Sequence, residues 1–226
     1  MNTRIRVSVY VTFIAALFFL SAFSFMQKKK VIFFGDSITQ AGVSPNGYIT
    51  LLQKKLVESG RDKAFDLIGA GIGGNKIYDL YLRLEDDVLS KKPNLVFIYI
   101  GINDVWHKRS HGTGTDANKF EQFYNKIIDK VQATGAKVVI CTPTVVGEQK
   151  GYVNELDGDL NKYAEIIRQI AKNKKVELID LRATIVDYIN THNPENKNAG
   201  ILTTDGVHMN DAGNEFLAEQ FWKFIK

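Results

Sequence analysis

The sequence predicts an α/β fold in which a parallel β-sheet is covered by helices on both faces. Short segments rich in β-branched and aromatic residues alternate with longer segments whose apolar residues recur at helical spacing. The short segments are continuous apolar runs, which is typical of strands buried on both faces. Neither a composition shift nor an internal repeat interrupts residues 31–226. We therefore expect one doubly wound domain over 25–226.

Five strands and six helices follow from this pattern. The predicted strands cover 31–34, 65–69, 95–100, 137–141 and 176–181. The predicted helices cover 48–59, 77–90, 119–133, 160–172, 183–189 and 211–225. Glycine or proline near the ends of several segments indicates where they stop. The polar, asparagine-rich stretch 190–200 is expected to be a loop.

The N-terminal segment is predicted to act at a membrane rather than in the fold. Two arginines precede the uncharged run 7–26, whose length approaches the ~20 residues that span a bilayer. Ala22 and Ser24 place small residues where a signal peptidase would require them. We expect residues 1–24 to be a cleaved export signal, so that the mature protein is periplasmic or secreted. A retained membrane anchor is the alternative, and only then is contact with a membrane expected.

The charge distribution argues against a nucleic-acid-binding protein, and the cysteine content argues against a disulfide-stabilised one. The net charge of +4 becomes −1 for residues 31–226, because five lysines and arginines precede Val31. No basic stripe with interleaved aromatic residues occurs, so nucleic acid is not an expected partner. The single cysteine, Cys141, permits no internal disulfide and lies in an apolar run as a small buried side chain.

Polar residues follow the apolar runs at the points where strands are expected to end. Ser37 follows the first run, Gly74 the second and Asn103 the third. The carboxyl ends of parallel strands share one edge of a sheet, so these residues are predicted to converge there. The segment 205–208 precedes the last helix and can fold over the same edge.

These residue types suit nucleophilic catalysis by a serine. His208 can remove the proton of Ser37, while Asp205, three residues before His208, orients the imidazole ring. His107 is the rival base, since it lies close to Asn103 in the sequence.

The oxyanion that develops on a substrate carbonyl oxygen when the serine attacks the carbonyl carbon needs hydrogen-bond donors aimed at it in advance. The N–H of Gly74, the side-chain amide of Asn103 and the N–H of Ser37 are the candidates, with Gly73 as the alternative to Gly74. No paired histidine or carboxylate motif at metal spacing accompanies them, so neither a metal nor another cofactor is expected.

Four segments of the sequence resemble the four conserved blocks of the SGNH, or GDSL-type, esterase and lipase superfamily. They are GDSIT at 35–39, GGN at 73–75, GIND at 101–104 and DGVH at 205–208, in family order. The resemblance implies a flavodoxin-like three-layer α/β/α sandwich with about five parallel strands. It also implies a catalytic triad of Ser37, Asp205 and His208. The implied oxyanion hole consists of Ser37, Gly74 and Asn103. The stretch before Asn75 is most similar to the acetylhydrolase and carbohydrate acetylesterase branch.

The expected activity is hydrolysis of carboxylic esters through an acyl-enzyme. No long insertion is available to build a lid, which favours short acyl groups, acetyl first, and export suggests O-acetylated carbohydrates. Lysophospholipase and thioesterase activities remain alternatives, since the same triad serves them. Tyr48, Trp106 and Val207 are the candidate substrate contacts.

Two hypotheses of other classes remain open. The glycines of 69–74 match Gly-x-Gly-x-x-Gly after a strand, which is the pattern of dinucleotide-binding enzymes. A non-catalytic protein that binds carbohydrate or another envelope component could have the same fold, because fold alone does not imply function.

Overall fold

The computed structural model describes residues 27–226 as a five-stranded, all-parallel sheet between layers of helices. The strands are β1 Lys29–Gly35, β2 Phe65–Gly71, β3 Leu95–Tyr99, β4 Lys137–Cys141 and β5 Glu177–Ile179. The helices are α1 Ser37–Ala41, α2 Tyr48–Glu58, α3 Ile77–Asp87, α4 Ile102–Ser110, α5 Ala117–Gln132, α6 Asp157–Lys174, α7 Leu181–His192 and α8 Asp211–Trp222. The strand order β2-β1-β3-β4-β5 confirms the predicted fold class.

The predicted export signal or anchor at 1–24 lies outside the described residues. Within residues 27–226, no helix combines the length and apolar character that crossing a bilayer requires.

The order in which strands are added to the sheet reverses between β1 and β3. From β1 the chain moves outward to β2 at one edge, and from β3 it proceeds through β4 to β5 at the other. β1 and β3 are paired in parallel register, with Gly35 beside Tyr99. The loops that leave these two strands therefore diverge to opposite faces and open a crevice at their carboxyl ends.

Aromatic side chains define the two faces of the sheet. The rings of Phe33 and Phe97 stack 4.9 Å apart, and Phe221 of α8 and Tyr48 of α2 pack against Phe33. The next residue of β1, Phe34, points the opposite way and lies under the guanidinium group of Arg83 in α3. Because both faces are covered, the central strands are almost completely buried.

Several boundaries differ from those predicted, and two helices were not predicted at all. α1 is too short to show periodicity, and α4 begins with polar residues that resemble a loop. β5 ends at Ile179, before the predicted limit of 181, because the Asp180 side chain accepts the N–H of Ala183 and begins α7. α7 then continues to His192, into the stretch predicted as a loop.

Gly71, within the glycine-rich stretch 69–74, has a packing role that the dinucleotide hypothesis did not anticipate. β2 is an edge strand and continues through Gly71, whereas the predicted strand ended at Gly69. A Cβ atom on Gly71 would lie 2.1 Å from the backbone nitrogen of Gln40. Glycine is thus required where β2 passes α1, and no nucleotide is needed to explain it.

Replacing Gly71 with alanine should destabilise the fold. The added methyl group meets backbone atoms of α1, which cannot rotate away as a side chain can. We expect the free energy of unfolding to fall by about 1–3 kcal/mol, measured by urea denaturation. Gly158→Ala is the control: its Cβ meets nothing within 4 Å, so stability should be unchanged or rise by up to about 1 kcal/mol. Equal midpoints for Gly71→Ala and the native protein would contradict this account.

The bend between β1 and α1 buries a carboxyl group. Asp36 is the N-cap of α1, and its side chain accepts the N–H of Ile38 at 3.0 Å. Burial raises the pKa of Asp36 from 3.8 to about 7, against the smaller lowering effects of the Ile38 N–H and of His208. The folded protein therefore binds this proton more tightly than the unfolded chain does.

Asp36→Asn should reveal this burial as a pH-dependent difference in stability. Because the folded pKa is raised, the native protein loses stability as the pH rises from 3.8 to about 7. Asparagine keeps the cap acceptor and does not titrate. The stability of the variant relative to the native protein should increase by up to about 1.4 kcal/mol per pH unit in this window. Urea midpoints at pH 4 to 8 test it, and a pH-independent difference would contradict the assignment.

Candidate active site

Ser37 lies at the carboxyl end of β1, as the first residue of α1. The strand ends at Gly35, and Asp36 caps the helix, so the serine hydroxyl is presented at the sheet edge. Its Oγ lies 3.0 Å from Nε2 of His208, which is 171 residues further along the chain. The half-buried hydroxyl is therefore within hydrogen-bond reach of a base.

His208 and Asp205 lie on the same loop between α7 and α8. The Asp205 Oδ2 atom is 2.7 Å from Nδ1 of His208. The other oxygen, Oδ1, accepts the backbone N–H groups of Val207 and His208 at 2.9 and 2.8 Å. The carboxylate thus holds both the ring and the backbone of the histidine.

Electrostatics keep Asp205 ionised. Burial alone would raise its pKa, but hydrogen bonds from the His208 ring and from the N–H groups of His208 and Val207 outweigh this effect. The pKa of Asp205 is therefore below its ordinary value. The ring N–H at Nδ1 then donates to a carboxylate, which leaves Nε2 free to accept from Ser37.

The glycine turn after β2 lies beside α1. Gly73 donates its N–H to the Gln40 side chain at 2.8 Å. Gly74 adopts a φ of +75°, which favours glycine, and its N–H has no acceptor among residues 27–226. Sequence reasoning missed Gln40, whose only signal is its position one turn after Ser37.

Asn103 lies in the first turn of α4, directly after β3, and only 2% of it is exposed. One of its amide hydrogens is donated to the backbone carbonyl of Asn75 at 3.1 Å. This bond connects α4 to the glycine turn, and the second amide hydrogen is left for another acceptor.

His107 does not occupy the position of a base for Ser37. A Cβ atom built on Gly74 would lie 3.7 Å from its Cε1, so the ring lies beside the glycine turn. Burial, Lys76 and His111 lower the pKa of His107, in that order. The Ser37 hydroxyl is instead bonded to His208.

The three candidate substrate contacts have different positions. The ring of Trp106 lies edge-on to that of His208, with their centroids 6.5 Å apart, so Trp106 borders the site. The prediction for Tyr48 is wrong: the side chain is 0% exposed, stacks on Phe221 and donates its hydroxyl hydrogen to Thr39. The prediction for Val207 is also wrong, because its side chain is buried in the core and only its N–H faces Asp205.

The part of the chain covered by the structure contains no group of three or more histidine, cysteine, aspartate or glutamate side chains arranged to hold a metal ion. The Asp36 carboxyl group is already used by the Ile38 N–H, and the Asn103 amide donates to Asn75. Both side chains are thus engaged in hydrogen bonds with the backbone.

Known proteins share both the sequence pattern and the fold. The model of the GDSL-like lipase/acylhydrolase family matches residues 33–216. A solved acetyl xylan esterase, AlAXEase, is 58% identical with a TM-score of 0.86, over 87% of this chain and 100% of that one. An acetylxylan esterase of Geobacillus stearothermophilus is 28% identical over 220 residues, 87% of this chain and 94% of its own. A Rattus norvegicus isoamyl acetate-hydrolyzing esterase 1 homolog is 24% identical over 213 residues, 87% of this chain and 81% of its own.

The match to the family model covers most of the chain and includes the serine, the glycine turn, the asparagine and the aspartate–histidine loop. The sheet order and the bond between Ser37 and His208 agree with it. This chain belongs to the GDSL-like lipase/acylhydrolase family and is a serine hydrolase that acts on ester bonds.

Proposed function

We propose that the enzyme removes acetyl groups from O-acetylated carbohydrates through an acyl-enzyme. The hydrogen-bonded series from Asp205 through His208 to Ser37 carries the mechanism. The choice of substrate is supported by the 58% identity to an acetyl xylan esterase. No cofactor takes part in the proposed reaction.

In the proposed acylation step, Ser37 Oγ attacks the carbonyl carbon of the ester while Nε2 of His208 accepts the hydroxyl proton. The 3.0 Å separation of these atoms permits direct transfer. Asp205 stabilises the imidazolium ion that forms, because its negative carboxylate accepts a hydrogen bond from the Nδ1–H group, which keeps its proton. The tetrahedral intermediate collapses when His208 gives its proton to the departing sugar oxygen.

The oxyanion is proposed to be held by the N–H groups of Ser37 and Gly74 and by the amide of Asn103. Gly73 is the weaker choice, since its N–H already donates to Gln40. Asn103 is fixed by its bond to Asn75 before substrate arrives, so little reorganisation is needed during the reaction. Water activated by His208 then releases acetate from Ser37.

An aromatic side chain beside the catalytic histidine is consistent with this substrate. The ring of Trp106 lies 6.5 Å from that of His208, centroid to centroid, and we propose that the sugar of the substrate packs on this indole ring. Sugar rings commonly pack on such surfaces through their C–H faces. Lysophospholipase and thioesterase activities remain the alternatives on the same triad, and they are distinguished by acyl chain length and leaving group.

Export is a separate proposal. The uncharged run 7–26 with small residues before position 25 supports a signal cleaved after Ser24, and a retained anchor is the alternative. The N-terminal sequence of the protein recovered from a bacterial host distinguishes them: a start at residue 25 supports cleavage.

Hydrolysis of p-nitrophenyl acetate, butyrate and decanoate by residues 25–226 tests the activity. We expect turnover to fall with chain length and to vanish in Ser37→Ala, since the Ser37 hydroxyl is the group hydrogen-bonded to Nε2 of His208. Release of acetate from acetylated xylan should likewise depend on Ser37.

Ser44→Ala is the matched control, because it removes the same hydroxyl group from an exposed loop and should leave turnover unchanged. A preference for decanoate would favour a lipid or thioester substrate. Full activity in folded Ser37→Ala would overturn the mechanism.

Asn103→Ala should slow the chemical step. Loss of one oxyanion donor commonly lowers kcat by about 10²–10³-fold, and KM should change far less because the ground-state carbonyl carries little charge. Steady-state kinetics on p-nitrophenyl acetate measure both constants. A rise in KM with unchanged kcat would place Asn103 in substrate binding instead.

A further inference from the structure

Glu148 is a buried carboxylate that the proposed mechanism does not use. It lies in the loop between β4 and α6, and 0% of it is exposed. Taking a carboxylate out of water is unfavourable unless its oxygens find donors. Its partners therefore indicate what the side chain is for.

The oxygens of Glu148 bind three consecutive backbone N–H groups. Oε1 accepts from Leu202 at 2.7 Å and from Thr203 at 2.8 Å, and Oε2 accepts from Ile201 at 2.8 Å. In the part of the chain that the structure describes, this carboxylate forms no ion pair. Its side-chain hydrogen bonds are thus made to the segment 201–203 alone.

The segment 201–203 leads directly into the loop that carries Asp205 and His208. Thr203 Oγ1 accepts the N–H of Gly206 at 3.0 Å, and Thr203 forms an antiparallel bridge with Met209. Both ends of the loop are therefore tied to Thr203.

The backbone next to Glu148 adds a further restraint. The N–H of Gly147 donates to the carbonyl of Gly206 at 2.8 Å. The segment after β4 therefore also holds the loop that carries Asp205 and His208 near its centre. Between α7 and α8 the described chain forms no strand or helix, so residues 201–209 depend on such contacts with Gly147 and Glu148.

We propose that Glu148 is a positioning residue that sets the distance and orientation of the Asp205–His208 pair relative to Ser37. This inference rests on the proposed triad. A displacement of about 1 Å in a catalytic group can cost about 100-fold in rate. Glu148 prevents such a displacement by fixing the N–H groups of three successive residues, the last of which is two residues before Asp205.

Glu148→Gln is the test variant. An amide of the same shape can accept from Leu202 and Thr203, but its NH₂ group then faces the Ile201 N–H, so that bond is lost. We expect kcat on p-nitrophenyl acetate to fall by about 10- to 100-fold with KM nearly unchanged. Thermal unfolding checks that the variant is folded.

A double-mutant cycle with Asp205→Asn separates positioning from general destabilisation. Asparagine keeps the Oδ1 acceptor for the loop backbone and removes the carboxylate from the His208 ring. If Glu148 acts through the Asp205–His208 pair, its replacement should change kcat by less than about 3-fold in the Asp205→Asn background. The same large loss in both backgrounds would overturn the inference, as would a lowered unfolding temperature with unchanged kcat.

Two further variants complete the test. Asp180→Asn removes a carboxylate that binds Arg168 and Ala183 but touches none of 200–209, so kcat should be unchanged. If Glu148→Gln does not fold, Glu148→Asp enters the same cycle with the same expectation, because a side chain one methylene shorter cannot reach all three N–H groups. Full activity of Asp205→Asn would overturn the triad itself. If Asp205→Asn lowers kcat but Glu148→Gln lowers it by the same factor in both backgrounds, only the role of Glu148 is overturned.

Discussion

The pairing of β1 with β3 is the contact on which the active site depends. Residues distant in sequence become neighbours there, since Gly35 and Tyr99 are opposite each other and the chain bends away from both strands within two residues. Ser37 and Asn103 thereby follow the carboxyl ends of two neighbouring strands, at the same edge of the sheet. The stacked rings of Phe33 and Phe97 bury this pair of strands and fix their register.

The site combines two kinds of support. Ser37 and Asn103 begin helices that continue directly from the central strands, so the sheet itself determines their positions. Asp205 and His208 belong to a loop that is hydrogen-bonded to the Glu148 side chain and the Gly147 backbone, both in the segment after β4. The nucleophile is thus held by regular secondary structure, whereas its base is held by individual hydrogen bonds from a distant part of the chain.

Sequence patterns predicted the five strands, their parallel arrangement and the residues that meet at the sheet edge, because apolar runs and the residues after them are local signals. The sequence did not predict which particular side chains are buried. Tyr48 resembled a pocket wall, but it fills the core because Phe33 and Phe221 pack around it. The partners of Glu148 are backbone N–H groups 53 to 55 residues away, and backbone groups have no signature in a sequence.

Helix α4 carries both the proposed oxyanion donor and an aromatic side chain that borders the site. Its first turn carries the buried amide of Asn103, and its next turn carries Trp106 at the border of the site. A rigid helix moves both together, so making room for a bulkier alcohol by shifting α4 would also displace the proposed oxyanion donor. Replacing exposed side chains of α4 can therefore change which alcohols the enzyme accepts without loss of rate. A shift of the α4 backbone would instead lower the rate.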